Sequence, residues 1–186
     1  METMLVNGVP YTVERLLGRG KGGYSYLVRD AAGEYVLKQI HHEPCDYYQF
    51  GDKLASERQD YARLVAAGVP VPELLAVDEQ QERLLKEYVD GPTVAQLVEQ
   101  NALPDACLAQ VRALSEQLRA QGMNIDWYPT NFILQNEKLY YVDYECNDYM
   151  DQWSFERWGV QYWVKYRRPL RREGPLSLSK NLHFHL

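Results

Sequence analysis

The sequence predicts an α+β fold, because runs of strands that precede helices are typical of that class. The first 40 residues have the pattern of short strands separated by glycine-containing turns. A later segment repeats its apolar side chains at the spacing of an amphipathic helix. The last 40 residues are rich in aromatic side chains between Trp153 and Trp163, which suggests one more packed helix.

The N-terminal half is predicted to contain one helix among several strands. The strands cover residues 11–13, 24–28, 35–40, 73–77 and 83–88. The helix is expected from about Phe50 to Ala67, and it stops at Gly68. The segment Asp90-Gly91-Pro92 breaks the pattern, so we expect a smaller N-terminal lobe over residues 1–90 and a C-terminal lobe over residues 91–186.

The C-terminal half begins with a helix signal. Thr93 and Gln96 have the spacing of a capping box, which predicts a short helix. The clearest helix runs from Pro104 to Gln121, because its apolar side chains recur on one face and a glycine follows it. Residues 132–134 and 139–142 then predict a β-hairpin.

Composition argues against several classes of protein. The chain of 186 residues has 46% apolar and 25% charged side chains, which is typical of one soluble globular unit. No apolar run reaches the roughly 20 residues of a membrane span, and the first residues lack the layout of a signal peptide. A reducing cytoplasm is expected, because the three cysteines show no ligand-like spacing. They are Cys45, Cys107 and Cys146.

Charge is distributed unevenly along the chain. The formal net charge of −6 argues against a general nucleic-acid binder. Five positive side chains nevertheless crowd into the segment from Lys165 to Arg172. This cluster is either a solvated tail or a contact for an acidic or phosphate-rich partner such as RNA.

The most informative residues are Asp126, Asn131 and Asp143. Asn131 follows Asp126 by five positions in a loop, and Asp143 comes twelve positions later at the end of an apolar strand. Phosphoryl transfer needs one carboxylate that faces the attacking hydroxyl, and an amide and a second carboxylate that hold magnesium on the phosphates. A lone aspartate in a loop is usually a turn former. The three residues together predict a phosphoryl-transfer site.

Two charged residues are predicted on faces that should be apolar. Lys38 shares its strand face with Val36 and Ile40, and Glu57 lies on the apolar stripe of the first helix. A buried ammonium group needs an anion, and a buried carboxylate needs a cation. Lys38 and Glu57 are therefore candidate partners. The alternatives are a snorkelling lysine on an edge strand and a solvated glutamate at the border of the stripe.

Three glycines precede that lysine. Gly18, Gly20 and Gly23 form the pattern G-x-G-x-x-G between two predicted strands. Glycines let the backbone approach phosphates, but this pattern alone is a weak signal and more often belongs to an ordinary turn. A dinucleotide-binding fold is not expected, since that fold places a helix rather than a strand after the glycines.

In their order along the chain, these residues resemble the protein-kinase-like superfamily. Gly18 to Gly23 looks like its glycine-rich loop, and Val36-Leu37-Lys38 looks like its V-A-I-K strand. The resemblance implies that Glu57 pairs with Lys38, and that the segment Leu85–Gly91 is the hinge that hydrogen-bonds the adenine of ATP. The residues implied around the adenine are Val36, Glu87 and Val89.

The loop from Asn124 to Leu134 is similar to the H-G-D-x-H-P-x-N-x-L pattern of aminoglycoside phosphotransferases. The matching residues are Asp126, Pro129, Asn131 and Leu134. Asn124 and Tyr128 replace the two histidines of the pattern. Asp143-Tyr144-Glu145 stands where these phosphotransferases have D-F/W-E, and the whole resemblance covers about residues 12–147.

The resemblance implies an ATP- and Mg²⁺-dependent phosphotransferase that moves the γ-phosphate to a hydroxyl group. Lys38 would hold the α- and β-phosphates, and Asn131 and Asp143 would bind Mg²⁺. Asp126 would accept the proton of the acceptor hydroxyl. The acceptor itself, a protein serine or threonine or a small molecule, is not identified by these motifs.

The chain resembles a minimal kinase with an abbreviated C-terminal lobe, because 41 residues follow Glu145 and no A-P-E motif occurs. In this respect it is similar to the small atypical kinases of the tRNA-threonylcarbamoylation machinery. Two alternatives stay open. One is a pseudokinase that binds nucleotide or scaffolds a protein partner, which the missing histidines favour. The other is an RNA-associated kinase that uses residues 165–172 as an RNA anchor.

Overall fold

A computed structural model describes residues 2–43 and 52–164. The strands are β1 Thr3–Val6, β2 Val9–Arg19, β3 Gly23–Arg29, β4 Glu34–Ile40, β5 Leu74–Asp78, β6 Arg83–Glu87, β7 Met123–Ile125, β8 Phe132–Gln135, β9 Lys138–Tyr141 and β10 Cys146–Asp148. The α-helices are α1 Lys53–Ala66, α2 Val94–Glu99, α3 Asp105–Ala120 and α4 Val160–Val164. Short 3₁₀ turns cover Pro129–Asn131 and Asp151–Trp153, and a π turn covers Phe155–Gly159. The basic segment Lys165–Arg172 lies outside the described residues.

The described residues form two compact units that interleave along the chain. The first comprises residues 2–43, 52–56 and 73–88, and the second comprises residues 57–72 and 89–164. The predicted division into two lobes at Asp90 stays a prediction.

The first unit is built on one antiparallel sheet of six strands in the order β1-β2-β3-β4-β6-β5. Its strands alternate their side chains, as the sequence pattern predicts. Leu37 and Leu85 face a core on one side, while Ile40 and Leu84 pack with Leu54 of α1 on the other. The predicted α+β fold is therefore confirmed, and the strands of its N-terminal sheet are antiparallel.

Strand β1 was not predicted, and it closes the sheet on itself. Asn7 and Gly8 connect β1 to β2 with positive φ angles of 49° and 81°, which is the conformation of a two-residue hairpin turn. The backbone N–H of Asn7 donates to a carboxylate oxygen of Asp78 in β5 at 2.6 Å. The guanidinium of Arg83 in β6 donates to the carbonyl oxygen of Leu5 at 2.6 Å. These contacts join the two ends of the sheet and curl it.

The second unit is mainly helical and contains two small sheets of two strands each, β7 with β10 and β8 with β9. The predicted capping box is present, since the N–H of Gln96 donates to the Thr93 hydroxyl at 3.2 Å and the Gln96 side chain accepts from the Thr93 N–H at 2.9 Å. The predicted long helix appears as α3, which begins directly after Pro104 and ends before Gly122 at a positive φ of 68°. Strands β8 and β9 form the predicted hairpin.

The aromatic segment near the end of the described chain forms a π turn and the short helix α4 rather than one long helix. Phe155 and Trp163 are buried there against Trp127 and Phe132. The aromatic side chains are thus mainly the core of the second unit. They fix the loop that follows β7, where Trp127 lies.

Two of the cysteines are buried free thiols. Burial raises the pKa of Cys107 to about 11, and burial together with the neighbouring Asp60 raises the pKa of Cys146 to about 12. Both thiols therefore remain protonated near neutral pH, which agrees with their lack of ligand-like spacing. Within residues 2–43 and 52–164, the helices are all too short or too polar to cross a membrane.

Candidate active site

The glycines surround the turn between β2 and β3 in the first unit: Gly18 lies near the end of β2, Gly20 lies in the turn, and Gly23 begins β3. The N–H of Gly20 donates to the carbonyl oxygen of Gly23 at 2.9 Å, which closes the turn. A Cβ at Gly23 would lie closer than 3.0 Å to the backbone carbonyl of Gln39, so this position requires glycine for strand packing. A Cβ at Gly18 would meet no described atom within 4 Å. Of Gly18 and Gly23, only Gly23 is required by the packing of the sheet.

Lys38 lies in β4, an inner strand between β3 and β6. This position excludes the alternative of a snorkelling lysine on an edge strand. Lys38 pairs with Leu84, and Val36 pairs with Lys86 in β6. All four side chains share one face of the sheet, because directly paired residues point to the same side. The exposed fractions of Lys38 and Lys86 are 9% and 4%, so this face holds two buried lysine residues.

Sequence analysis included Lys86 in the predicted hinge but did not place it beside Lys38. The alternation of β6 puts Leu84 and Lys86 on one face, but the pairing of β6 with β4 that places Lys86 opposite Val36 comes from the fold. Glu87 ends β6 and is exposed. Its carboxylate accepts the N–H of Glu73 at 3.1 Å, and its own N–H donates to the Glu73 carbonyl at 2.9 Å.

Glu57 and Val89, two further predicted site residues, lie in the second unit. Glu57 is half-buried on α1, and Val89 is buried with an exposed fraction of 2%. Lys38 belongs to the first unit. The pairing of Lys38 with Glu57 and the contact of Val89 with a nucleotide therefore stay predictions.

Asp126 directly follows the three-residue strand β7 in the second unit. One of its carboxylate oxygens accepts the N–H of Tyr128 at 3.0 Å, so the side chain is held against its own loop. The side-chain amide of Asn131 points back to the carbonyl oxygen of Asp126 at 3.5 Å. These contacts fold the five positions between Asp126 and Asn131 into a compact loop.

Buried indole rings anchor that loop. The ring N–H of Trp127 donates to the side-chain oxygen of Asn124 at 2.7 Å. The side-chain amide of Asn124 donates to the carbonyl oxygen of Trp153 at 2.9 Å. Trp163 donates its ring N–H to the carbonyl oxygen of Trp127 at 2.8 Å. Asn124, which stands where the phosphotransferase pattern has histidine, thus connects the loop to the aromatic core.

Asp143 lies in the connection that follows β9. One of its carboxylate oxygens accepts the N–H of Tyr144 at 2.9 Å. The buried Tyr144 hydroxyl donates to the carbonyl oxygen of Pro72 at 2.5 Å. The N–H of Val142 donates to the carbonyl oxygen of Asn131 at 2.9 Å. The structure therefore brings together the two loops that carry Asn131 and Asp143.

Tyr141 was assigned only to an apolar strand by sequence analysis, yet its hydroxyl contacts both loops. It donates to the carbonyl oxygen of Glu145 at 2.9 Å and accepts the N–H of Asp126 at 3.4 Å. Burial raises the pKa of Tyr141 far above its ordinary value, and the nearby carboxylates of Asp143, Asp126 and Glu145 raise it further. The phenol is therefore neutral and can donate one hydrogen bond while accepting another.

The donor set fits a magnesium ion that shares its coordination with phosphates. Among the described residues, no group of three or more His, Cys, Asp and Glu side chains could hold a metal alone. Asn131 and Asp143 offer one amide oxygen and one carboxylate. Magnesium is usually bound in this way, by one or two protein groups that leave the other positions to water and phosphate oxygens.

A scan against family models matches residues 14–175 to APH, the phosphotransferase enzyme family. The matched range contains the glycine turn, both buried lysines of the sheet and the two loops described above. The search of curated proteins finds no match.

Proposed function

Because the chain belongs to the phosphotransferase enzyme family, we propose that it transfers the γ-phosphoryl group of ATP to a hydroxyl group. The transfer would depend on Mg²⁺. The observation that carries the proposal is the arrangement of two loops in the second unit. The hydrogen bond from Val142 N–H to the Asn131 carbonyl connects them at 2.9 Å, and the Tyr141 hydroxyl contacts both Asp126 and Glu145.

The nucleotide would be held in part by the first unit. Lys38 is our candidate for the α- and β-phosphates, since a buried lysine residue on an inner strand is stabilised by an anion. Gly18 leaves room for the close approach of a phosphate group, because no described atom surrounds its Cβ position. Val36, Glu87 and Val89 are the candidates for the adenine, and Glu57 is the candidate partner of Lys38.

Asp126 is our candidate proton acceptor. One of its carboxylate oxygens accepts the Tyr128 N–H at 3.0 Å, which orients the side chain within its own loop. As the acceptor oxygen bonds to the γ-phosphorus, the bond from that phosphorus to the β–γ bridging oxygen breaks and ADP leaves. The hydroxyl proton passes to Asp126. Positioning and charge stabilisation supply most of the catalysis in reactions of this kind.

Asn131 and Asp143 are the candidate ligands for Mg²⁺. When bound, the ion would neutralise the charge that develops on the phosphate oxygens. The fold of this chain determines how far apart Asn131 and Asp143 lie. The paired strands β8 and β9 separate them along the sequence and return them to one end of the hairpin.

The proposal is tested with ATP labelled at the γ-phosphate, in the presence of Mg²⁺, first with the purified protein alone and then with added cell extract. Label on a protein band and label on a small molecule separate the two classes of acceptor. Nucleotide binding without any loss of γ-phosphate would instead support a nucleotide-binding scaffold. The replacement of the two pattern histidines by Asn124 and Tyr128 is the observation that favours this second function.

A further inference from the structure

We propose that the Tyr141 hydroxyl is a positioning group that sets the distance between the Asp126 loop and the Asp143 loop. The expected effect on catalysis rests on the proposed function. The connection between the two loops rests on hydrogen bonds alone. Tyr141 would not touch substrate. It would act by positioning two other residues, the candidate proton acceptor Asp126 and the candidate metal ligand Asp143.

The two hydrogen bonds of the hydroxyl have complementary roles. Its bond to the Glu145 carbonyl at 2.9 Å closes the segment 141–145, and Asp143 lies in the middle of that segment. The hydroxyl also accepts the Asp126 N–H at 3.4 Å, which holds the backbone of Asp126, the first residue after β7. One oxygen atom thereby connects the backbone of both loops.

The hydroxyl is itself held in place by a rigid surrounding. Tyr141 has an exposed fraction of 1%, and its ring packs on that of Phe132 with a centroid distance of 5.2 Å. Its backbone N–H donates to the Pro70 carbonyl at 2.8 Å. A buried ring in a close-packed core cannot shift without moving its neighbours. The position of the hydroxyl is therefore defined by the core of the second unit.

Asn124 cannot provide the same connection. It occupies the position of the first histidine in the phosphotransferase pattern, but its side chain is committed to Trp127 and Trp153 at 2.7 and 2.9 Å. The Tyr141 hydroxyl, by contrast, hydrogen-bonds to the backbones of both Asp126 and Glu145.

Removal of the hydroxyl has a specific consequence. In a Tyr141→Phe variant the ring still fills the core, while the Glu145 carbonyl and the Asp126 N–H lose a partner. The loss of these two part-buried hydrogen bonds is unfavourable, and it removes the contact that holds the two loops at a fixed distance. A displacement of about 1 Å in a catalytic group can reduce the rate about 100-fold.

The test compares Tyr141→Phe with a matched control, Tyr140→Phe. Tyr140 is the preceding residue, its ring is half-buried, and it contacts the Lys138 ammonium at 4.7 Å rather than either loop. For Tyr141→Phe we expect kcat for release of γ-phosphate to fall about 10–100-fold and the half-saturating Mg²⁺ concentration to rise by a similar factor. The KM for nucleotide at saturating Mg²⁺ should stay within about twofold, since the first unit is unchanged. The control should match the wild-type protein.

Amide hydrogen exchange tests the connection without any enzymatic activity. The Asp126 N–H donates to the removed hydroxyl, so its exchange should be about tenfold faster or more in Tyr141→Phe and unchanged in Tyr140→Phe. If the wild-type protein neither binds nor turns over nucleotide, the proposed function fails, but this measurement still decides the role of Tyr141. If Tyr141→Phe does not fold, the wild-type protein decides it, since its Asp126 amide should exchange far more slowly than that of the exposed neighbour Thr130.

The proposal is overturned if Tyr141→Phe keeps the wild-type exchange rate at Asp126. It is also overturned if the variant only lowers the melting temperature while kcat and the Mg²⁺ dependence remain those of the wild type. The proposal is overturned as well if, in the wild-type protein, the Asp126 amide exchanges as fast as the Thr130 amide.

Discussion

Val142 donates its backbone N–H to the carbonyl oxygen of Asn131 at 2.9 Å, one position beyond the last paired residues of the β8–β9 hairpin. The pairing of Phe132 with Tyr141 continues outward to these two residues. A two-residue turn at 136–137 and four residue pairs therefore account for the interval from Asn131 to Val142, and Asp143 directly follows Val142. The number of residues between Asn131 and Asp143 is therefore a consequence of the register of the β8–β9 hairpin.

The turn of that hairpin can be stabilised by one substitution. Asn136 and Glu137 have positive φ angles of 47° and 64°, and a residue with a side chain is strained in this region. Glu137→Gly should raise the free energy of unfolding by about 1 kcal/mol, because Asn-Gly is the favoured sequence of such a turn. Chemical denaturation measures the change. A substitution in the opposite sense, Gly122→Ala at a φ of 68°, should lower stability.

Gly23 and Gly18 should respond differently to alanine. Gly23→Ala places a methyl group closer than 3.0 Å to the Gln39 carbonyl, so β3 and β4 must separate and stability should fall by about 1–3 kcal/mol. Gly18→Ala has no described atom within 4 Å of the new methyl group and should fold with near wild-type stability. Thermal unfolding of the two variants measures this difference. Equal losses of stability in the two variants would contradict the packing described here for Gly18 and Gly23.

Asp78 should make the stability of the first unit depend on pH. The N–H groups of Gln81 and then Asn7 hold the pKa of this carboxylate below its ordinary value, which is about 4. The folded pKa is lower than the unfolded pKa, so the stabilisation is complete above about pH 4 and is lost as pH falls through the folded pKa.

The matched variant for this effect is Asp78→Asn, whose side chain does not ionise. We expect the wild-type protein to be more stable than the variant at pH 7, and the difference to shrink below about pH 4. Urea denaturation at several pH values measures it. A difference that stays constant from pH 7 to pH 3 would contradict the role of Asp78 in closing the sheet.

Neutralising Lys38 should weaken nucleotide binding. Hydrogen bonds to charged groups contribute about 1.5–3 kcal/mol, so Lys38→Met should raise the Kd for Mg-ATP about 10–100-fold. The control is Lys138→Met, which removes an exposed ammonium group of the β9 strand. Calorimetric titration measures both. Equal affinity in the wild type and in Lys38→Met would remove Lys38 from the proposed phosphate site.

Local patterns predicted the elements that have strong signals of their own. The capping box at Thr93, the α3 helix after Pro104 and the inward face of Lys38 follow from spacing and alternation. Strand β1 was missed although Asn7-Gly8 is a strong hairpin signal, because the strand has only four residues.

The missed site features depend on tertiary contacts. The register of β4 with β6 puts Lys86 opposite Val36, and no interval in the sequence specifies that register. Tyr141 appears as one more apolar residue of a strand, and only the fold shows that its hydroxyl reaches the backbones of Asp126 and Glu145.

Asp126 is proposed to accept a proton during transfer of the γ-phosphate, and Asp143 is proposed to bind Mg²⁺. The most direct measurement is the transfer of γ-labelled phosphate by the wild type, Asp126→Ala and Asp143→Ala, together with their binding of Mg-ATP. Asp126→Ala should lose transfer by about 10²–10³-fold or more and keep nucleotide binding, whereas Asp143→Ala should lose Mg-dependent binding as well. Unchanged transfer of phosphate by Asp126→Ala would contradict the account.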